Sequence, residues 1–183
     1  MRPSCLLLGA NVSLGVRRQG VGAENAGGRL IILKKRVVGL SEAALTRFLV
    51  RARRAAGLNG KVNVLVTGSH EVQNLNRRFR RKNQPTDVLS FPALPGAENG
   101  LAGDIAISAG VAAQSARRRG LKTSEEIKIL VLHGVLHLAG YDHENDKGEM
   151  ARKEQQLRKK LGLPVGLIER VAGGRAGPRR RPR

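Results

Sequence analysis

The sequence predicts an α/β fold of the α+β type, in which a small mixed sheet of about four strands packs against about five helices. Short stretches rich in β-branched residues alternate with longer stretches of helical periodicity, and several helices collect in the second half of the chain. Hydrophobic residues make up 40% of the 183 residues, which is enough for one domain with a buried core. Aromatic residues make up only 2%, so aliphatic side chains must form most of that core.

Strands and helices alternate in the first half of the chain. Ser41 suits the N-cap of the first helix, because its hydroxyl can accept a backbone hydrogen bond, and Gly57 suits the end of that helix. The second helix ends in a run of basic residues. We predict strands over residues 29–38 and 61–68 and helices over residues 41–57 and 71–80.

The second half begins with short strands and then becomes helical. Pro85 and Pro92 bound the first strand, and Thr123 and Glu126 form a capping-box pattern at the start of a helix that Gly140 ends. We expect that helix to lie in the core, because its second half is almost entirely apolar. We predict strands over 87–91 and 104–110, a loop over 93–103, and helices over 111–120, 123–140 and 145–161.

Composition divides the chain into three parts. We expect residues 1–28 to form a flexible N-terminal extension, residues 29–172 a single folded domain, and residues 173–183 a disordered arginine-rich tail. No run of about 18 apolar residues is present, so no membrane span is predicted. Cys5 is the only cysteine, which excludes an intramolecular disulfide and a cysteine-based zinc site and fits a reducing cytoplasm.

The charge of the chain predicts a polyanionic partner. Lys and Arg number 34 against 14 Asp and Glu, for a net charge of +20. The tail over residues 175–183 holds only five of these basic residues, so most of the excess belongs to the body of the chain. Such a body attracts nucleic acid first and an anionic membrane surface second. A genome that prefers Arg codons would explain Arg in place of Lys, but not the excess over acids.

Three of the four histidines lie within eleven residues, at His133, His137 and His143. The first two are four residues apart on the predicted helix over 123–140, so both imidazoles project from one face. Gly140 then lets the chain turn and bring His143 back toward them. A lone histidine on an apolar helix is usually an ordinary core residue, but three at this spacing predict one divalent ion. Zn²⁺ is the first expectation, with Ni²⁺ and other late first-row ions as alternatives.

The histidine offsets are those of the metzincin proteases, whose motif is H-E-x-x-H-x-x-G-x-x-H. Gly134 stands where that motif has the glutamate that acts as general base. Glycine has no side chain to take a proton. The sequence therefore predicts a metal site, but not an ordinary protease.

Several other side chains are candidates for supporting roles. Asp142 and Glu144 flank His143, and we favour a turn or ligand-orienting role for them over the role of base. Asp87 and Asp104 lie at predicted strand ends, where either could orient a histidine. His70 is far from the cluster, so we expect an ordinary surface or capping residue.

A basic segment supplies the second functional signal. The six residues "RRFRRK", residues 77–82, hold five positive charges and one aromatic ring, Phe79, which we expect in the core. Arginine suits bidentate contact with phosphate, so this segment predicts a phosphate contact. The alternative is a basic face that only meets solvent, which is the usual role of a charge run.

Three segments resemble the YbeY family of bacterial metal-dependent endoribonucleases: "LNRRFRRKNQPTDVLSFP", "GDIAIS" and "HGVLHLAGYDH". The resemblance covers roughly residues 30–165. It implies one metal ion, usually zinc, held by His133, His137 and His143, and a functional arginine that corresponds to Arg80. Asn83 departs from the family pattern, which commonly has aspartate there.

The resemblance also implies an activity and a place of action. It implies single-strand-specific cleavage of RNA, maturation of the 3′ end of 16S ribosomal RNA, and late-stage quality control of the 70S ribosome in the cytoplasm. The partners expected are therefore single-stranded RNA, ribosomal RNA and the small ribosomal subunit, with no membrane. Two alternatives stay open at this point, a metzincin-like peptidase and a non-catalytic ribosome-assembly factor. The oligomeric state and the attacking nucleophile, water or the 2′-hydroxyl, are also open.

Overall fold

The computed structural model describes residues 30–94, 100–143 and 145–164. Four strands and five helices lie in these residues, and the predicted α+β fold is confirmed. Chain order alternates strands and helices first and then gives three helices in succession. The elements are β1 (Ile31–Leu33), α1 (Glu42–Ala56), β2 (Lys61–Thr67), α2 (Ser69–Arg80), β3 (Val88–Pro92), β4 (Leu101–Ser108), α3 (Ala109–Arg118), α4 (Thr123–Leu138) and α5 (Glu149–Leu161).

The four strands form one mixed sheet in the order β1-β2-β4-β3. β2 is parallel to both β1 and β4, and β3 runs antiparallel to β4. β2 and β4 are central and carry nearly continuous buried runs, as strands covered on both faces do. β3 is an edge strand in which Ser90 pairs with Ile105 and Phe91 with Asp104. Because side chains alternate along a strand, those two neighbours of β3 face opposite sides of the sheet.

Helices cover both faces of the sheet. α2 packs on one face through Val72, Leu75 and Phe79, which meet Leu89, Phe91 and Ala106 of the sheet. The opposite face carries the larger core, to which α1, α4 and α5 contribute. α4 is the most deeply placed helix, since all nine residues from Ile129 to His137 are buried. The prediction that the histidine-bearing helix lies in the core is therefore confirmed.

Several elements differ from the sequence predictions by two or more residues at one end, including α5, which begins at Glu149 rather than at residue 145. β1 is only three residues long, although residues 29–38 were expected to form a strand. β4 begins at Leu101, inside the expected loop over 93–103, because it pairs with β2 and β3 on either side. Such pairing joins residues far apart in the chain and leaves no local sequence signal.

The cap at the start of α4 also differs from its prediction. Thr123 is its first helical residue, and the carboxylate of Glu125 accepts a hydrogen bond from the backbone N–H of Lys122 at 2.9 Å. The expected capping box of Thr123 and Glu126 was therefore wrong by one residue. Glu126 is fully buried instead, and its Oε1 lies 2.9 Å from Nη1 of Arg119.

Two predicted segments lie outside the described residues. These are the N-terminal extension over 1–28 and the arginine-rich tail over 173–183, and the last part of the expected domain, residues 165–172, is also outside them. Within the described residues, no helix is both long enough and apolar enough to cross a membrane.

Candidate metal centre

α4 carries the first two histidines of the candidate centre. His133 and His137 lie one turn apart on the helix, and both side chains are buried. Their ring centroids are 4.7 Å apart, and their Nε2 atoms approach to 3.1 Å. Nitrogen ligands about 2.0–2.1 Å from a tetrahedral zinc ion lie about 3.3 Å from one another. The spacing of these two Nε2 atoms therefore fits a shared ion.

The end of α4 returns the third histidine to the same point. Gly140 has φ +91°, and its N–H bonds to the carbonyl of His137 while the N–H of Tyr141 bonds to the carbonyl of Leu136. This pair of bonds is the Schellman pattern, which stops a helix and turns the chain. The ring of His143 then lies 5.4 Å from that of His133 and 5.3 Å from that of His137, between centroids. One ligand nitrogen from each ring lies within 4.8 Å of the others.

The surroundings of His137 favour its neutral form. Burial, together with the neighbouring charges of His133 and His143, lowers the pKa of His137 from 6.5 to about 3, while Asp142 acts in the opposite direction. His137 is therefore neutral at pH 7, which is the form in which imidazole binds a metal ion. The structure thus brings the three predicted residues together in a donor set that fits one metal ion, and their role as ligands stays a prediction.

The pKa of His137 predicts a pH dependence for the stability of the metal-free protein. The unfolded chain binds a proton at this site below pH 6.5, whereas the folded chain does so only near pH 3. Stability should therefore be lost as pH falls from 6.5 toward 3, at up to about 1.4 kcal/mol per pH unit. Urea unfolding of chelator-treated protein at several pH values measures this loss. A His137→Asn variant should lose less stability over the same window, and an equal loss in both proteins would contradict the assignment.

Packing explains the glycine that replaces the protease glutamate. A Cβ atom on Gly134 would lie 2.8 Å from Cδ1 of Ile105 in β4 and 3.0 Å from Oγ of Ser90 in β3. Both distances are below normal contact, and Ile105 is fully buried. Gly134 therefore lets α4 lie directly on the sheet, and the position has no room for a glutamate side chain.

Enlarging Gly134 should destabilise the protein. Alanine has the better helix propensity by about 1 kcal/mol, but overpacking a core of this kind costs about 1–3 kcal/mol. We expect Gly134→Ala to lose up to about 2 kcal/mol of stability, as the difference between these two effects, and Gly134→Glu to lose more, with no gain of peptidase activity in either. Chemical denaturation and a casein assay measure the two effects. A Gly134→Ala protein more stable than the wild type would show that the helix can move away from the sheet.

Glu154 of α5 was missed by sequence reasoning. Its side chain is buried, and Oε2 lies 3.1 Å from Nδ1 of His133. The available signal was its position between Met150 and Leu157, because the three share the inward face of the helix at spacings of four and three residues. An acid in such an apolar stripe is unusual unless it has a partner.

The other candidates take up different positions. Asp142 accepts a hydrogen bond from Nδ2 of Asn145 at 2.6 Å, which is the expected turn role. The carboxylate of Asp87 accepts a hydrogen bond from the N–H of Val88, and buried Asp104 accepts one from Nδ2 of Asn63 at 2.9 Å.

The remaining two candidates lie away from these contacts. His70 is exposed near the start of α2, with Nδ1 3.3 Å from Nδ2 of Asn74. Glu144 lies outside the described residues.

Arg80 lies in a different layer from the histidines. It is the last residue of α2, on the sheet face opposite α4. The neighbouring Phe79 packs edge-to-face on Phe91 of β3 at 5.5 Å between centroids, as a core residue should. The preceding residue on β3, Ser90, faces Gly134 on α4. The basic helix end and the histidine helix thus flank the same edge strand from opposite sides. Asn83 accepts a hydrogen bond from Gln73 at 3.2 Å.

Fold and site together define an α+β protein with a three-histidine group able to hold one metal ion. The family described as Endoribonuclease YbeY matches residues 29–162, and the chain belongs to that family. The predicted family and the predicted enzyme class, an endoribonuclease, are thereby confirmed.

Individual relatives agree with this assignment. The chain is 60% identical over 142 residues to "Endoribonuclease YbeY" of Koribacter versatilis (strain Ellin345), covering 78% of this chain and 91% of the relative. It is 46% identical over 144 residues to the protein of the same name from Solibacter usitatus (strain Ellin6076), covering 79% and 95%. A solution structure from Thermotoga maritima superposes with a TM-score of 0.50 at 26% identity, covering 82% of this chain and 99% of that one.

Proposed function

We propose that this chain is a metal-dependent endoribonuclease that cleaves single-stranded RNA, with ribosomal RNA as its substrate. The observation that carries the proposal is the convergence of three ligand nitrogens within 4.8 Å in a chain of the endoribonuclease YbeY family. His133, His137 and His143 would hold one ion, for which we propose zinc because all three donors are imidazoles. When bound, such an ion supplies Lewis-acid chemistry, activating water and polarising a phosphoryl oxygen.

Arg80 is proposed as the residue that grips the scissile phosphate. Its Nη2 is buried and has no hydrogen-bond partner among the described residues. A buried guanidinium nitrogen of this kind costs free energy until it meets an acceptor, and a phosphate oxygen is a suitable one. Held there, Arg80 would offset negative charge that grows on the phosphate in the transition state. RNA that crosses the edge of the sheet at β3 would contact both Arg80 and the three-histidine group.

The basic body of the chain supports an RNA substrate. A net charge of +20 draws polyanions to the protein, and we expect affinity for RNA to fall steeply as salt rises. We propose maturation of the 3′ end of 16S ribosomal RNA and late-stage quality control of the 70S ribosome, with the small subunit as partner and the cytoplasm as compartment. We propose that the domain spans residues 29–172 and that segments 1–28 and 173–183 add only nonspecific RNA affinity.

Two rival functions are less favoured. A metzincin-like peptidase needs a base at the position of Gly134, where even a Cβ atom would contact Ile105 and Ser90 too closely. A non-catalytic assembly factor would use the ion structurally, but structural zinc sites usually contain cysteine and have closed coordination. The three histidines here supply one ligand fewer than a tetrahedral site requires.

A cleavage assay with matched substrates tests the proposed function. Purified, zinc-loaded protein is incubated with a single-stranded RNA, the same RNA in a duplex, and casein. We expect internal cleavage of the single strand, little cleavage of the duplex, and intact casein. Product ends identify the nucleophile, since a 2′,3′-cyclic phosphate would mean that the 2′-hydroxyl attacked. Casein degradation with intact RNA would favour the peptidase, and RNA binding without cleavage would favour the assembly factor.

A further inference from the structure

Glu154 and His133 form a buried contact between α5 and α4. Oε2 of Glu154 lies 3.1 Å from Nδ1 of His133, and the two residues are only 1% and 6% exposed. Burying a carboxylate is costly unless a polar partner compensates for the water it loses. The imidazole of a candidate metal ligand is such a partner, so the contact connects this residue to the centre.

The placement of Glu154 follows from the anchoring of α5. Met150 and Leu157, on the same face of the helix, are buried at 0% and 2% exposure. The carboxylate of Asp146 accepts hydrogen bonds from the N–H groups of Gly148 and Met150 at 2.7 Å each, which fixes the start of the helix. Glu154 is therefore held against His133 by packing on both sides of it along α5.

The contact has a consequence for the chemistry of His133. A carboxylate oxygen accepts hydrogen bonds, so Nδ1 of His133 carries the hydrogen that it donates to Glu154. In a neutral ring, Nε2 is then left with a lone pair. That Nε2 atom is the one 3.1 Å from Nε2 of His137, on the side where the three ligand nitrogens converge. The ring is both oriented and held in the tautomer that can bind a metal ion.

We propose that Glu154 is a positioning residue that fixes the orientation and tautomer of His133 and thereby sets the affinity of the three-histidine group for its metal ion. This inference rests on the proposed role of the histidines as ligands. Glu154 itself contacts neither the ion nor the RNA in this scheme. Carboxylates that orient a ligating histidine typically contribute tenfold to hundredfold in metal affinity.

Zinc affinity of Glu154 variants tests the proposal. Competition with a chromogenic chelator should show zinc binding about 10–100-fold weaker in Glu154→Ala, with a smaller loss in Glu154→Gln, whose amide oxygen can still accept from Nδ1. Glu149→Gln is the matched control, because Glu149 is exposed on the same helix, and it should bind like the wild type. A folded Glu154→Ala protein that binds zinc within threefold of the wild type would overturn the proposal.

The tautomer of His133 gives a second readout that needs neither metal nor activity. Nitrogen-15 spectra of the metal-free wild type should show the Nδ1–H tautomer at His133, with a shift toward a mixture in Glu154→Ala. A wild-type spectrum with the hydrogen on Nε2 would overturn the proposal even if both variants failed to fold. Failure of the wild type to bind zinc, with the Nδ1–H tautomer present, would instead count against the proposed metal function, so the two failures are distinguishable.

Discussion

Replacing His137 by alanine should remove the metal ion and RNA cleavage together. His137 is only 1% exposed, is neutral at pH 7, and shares its 3.1 Å contact with His133 at the centre of the proposed ligand set. With two imidazoles left, a zinc ion loses one of its three protein ligands and most of its affinity. We expect turnover to fall by about a thousandfold or more, because the Lewis acid supplies several kcal/mol of stabilisation.

The measurement pairs metal analysis with the single-strand assay. His70→Ala is the matched control, since it removes an exposed histidine of α2 and should retain both the ion and full turnover. A metal-free melting curve shows whether His137→Ala still folds. If the variant keeps one equivalent of zinc and loses turnover, the ion is held elsewhere and the proposed ligand set is wrong.

Replacing Arg80 by alanine should leave the ion in place and remove most of the turnover. Arg80 lies on α2, across the sheet from α4, so its loss leaves the histidine group intact. Its buried Nη2 lacks a hydrogen-bond partner among the described residues, and the proposal is that a phosphate oxygen of bound RNA becomes that partner. Loss of a preorganised donor to a developing anion costs about 10²–10³ in turnover.

Two further variants separate catalysis from simple charge. Arg77→Ala removes an exposed arginine of the same helix, so it should weaken RNA binding but leave turnover at saturating RNA near normal. The slope of log affinity against log salt concentration should fall by about one, because one phosphate contact is lost. Arg80→Lys keeps the charge but loses the planar fork, so it should recover only part of the activity. If Arg77→Ala and Arg80→Ala lower turnover equally, Arg80 contributes no more than its positive charge and has no specific catalytic role.

The sequence predicted what is encoded locally. The histidine spacing and Gly140 predicted a helix followed by a turn, and the structure places one ligand nitrogen of each ring within 4.8 Å of the others. Alternation of strand and helix patterns predicted the α+β fold. The early start of β4 was missed because it depends on pairing with β2 and β3, which no local pattern encodes.

Tertiary packing decided the remaining features. Glu154 is 21 residues from His133 in the chain, so only the packing of α5 on α4 brings them into contact. The absence of a glutamate at Gly134 was visible in the sequence, but its physical reason required the distances to Ile105 and Ser90. The cap of α4 was misplaced by one residue, because Glu125 bonds to the backbone N–H of Lys122 while Glu126 is buried against Arg119, a tertiary contact that the local pattern does not reveal.

The alternation of side chains along β3 has a consequence for how this region can vary. Ser90 and Phe91 are neighbours, yet one faces the histidine helix and the other the arginine helix. Deleting Leu89 or inserting a single residue before Ser90 would reverse both orientations, turning a bulky ring toward Gly134 and a small hydroxyl toward Phe79. The packing of β3 against α4 and its packing against α2 would then both be disrupted, so we expect this strand to tolerate substitution far better than a change in its length.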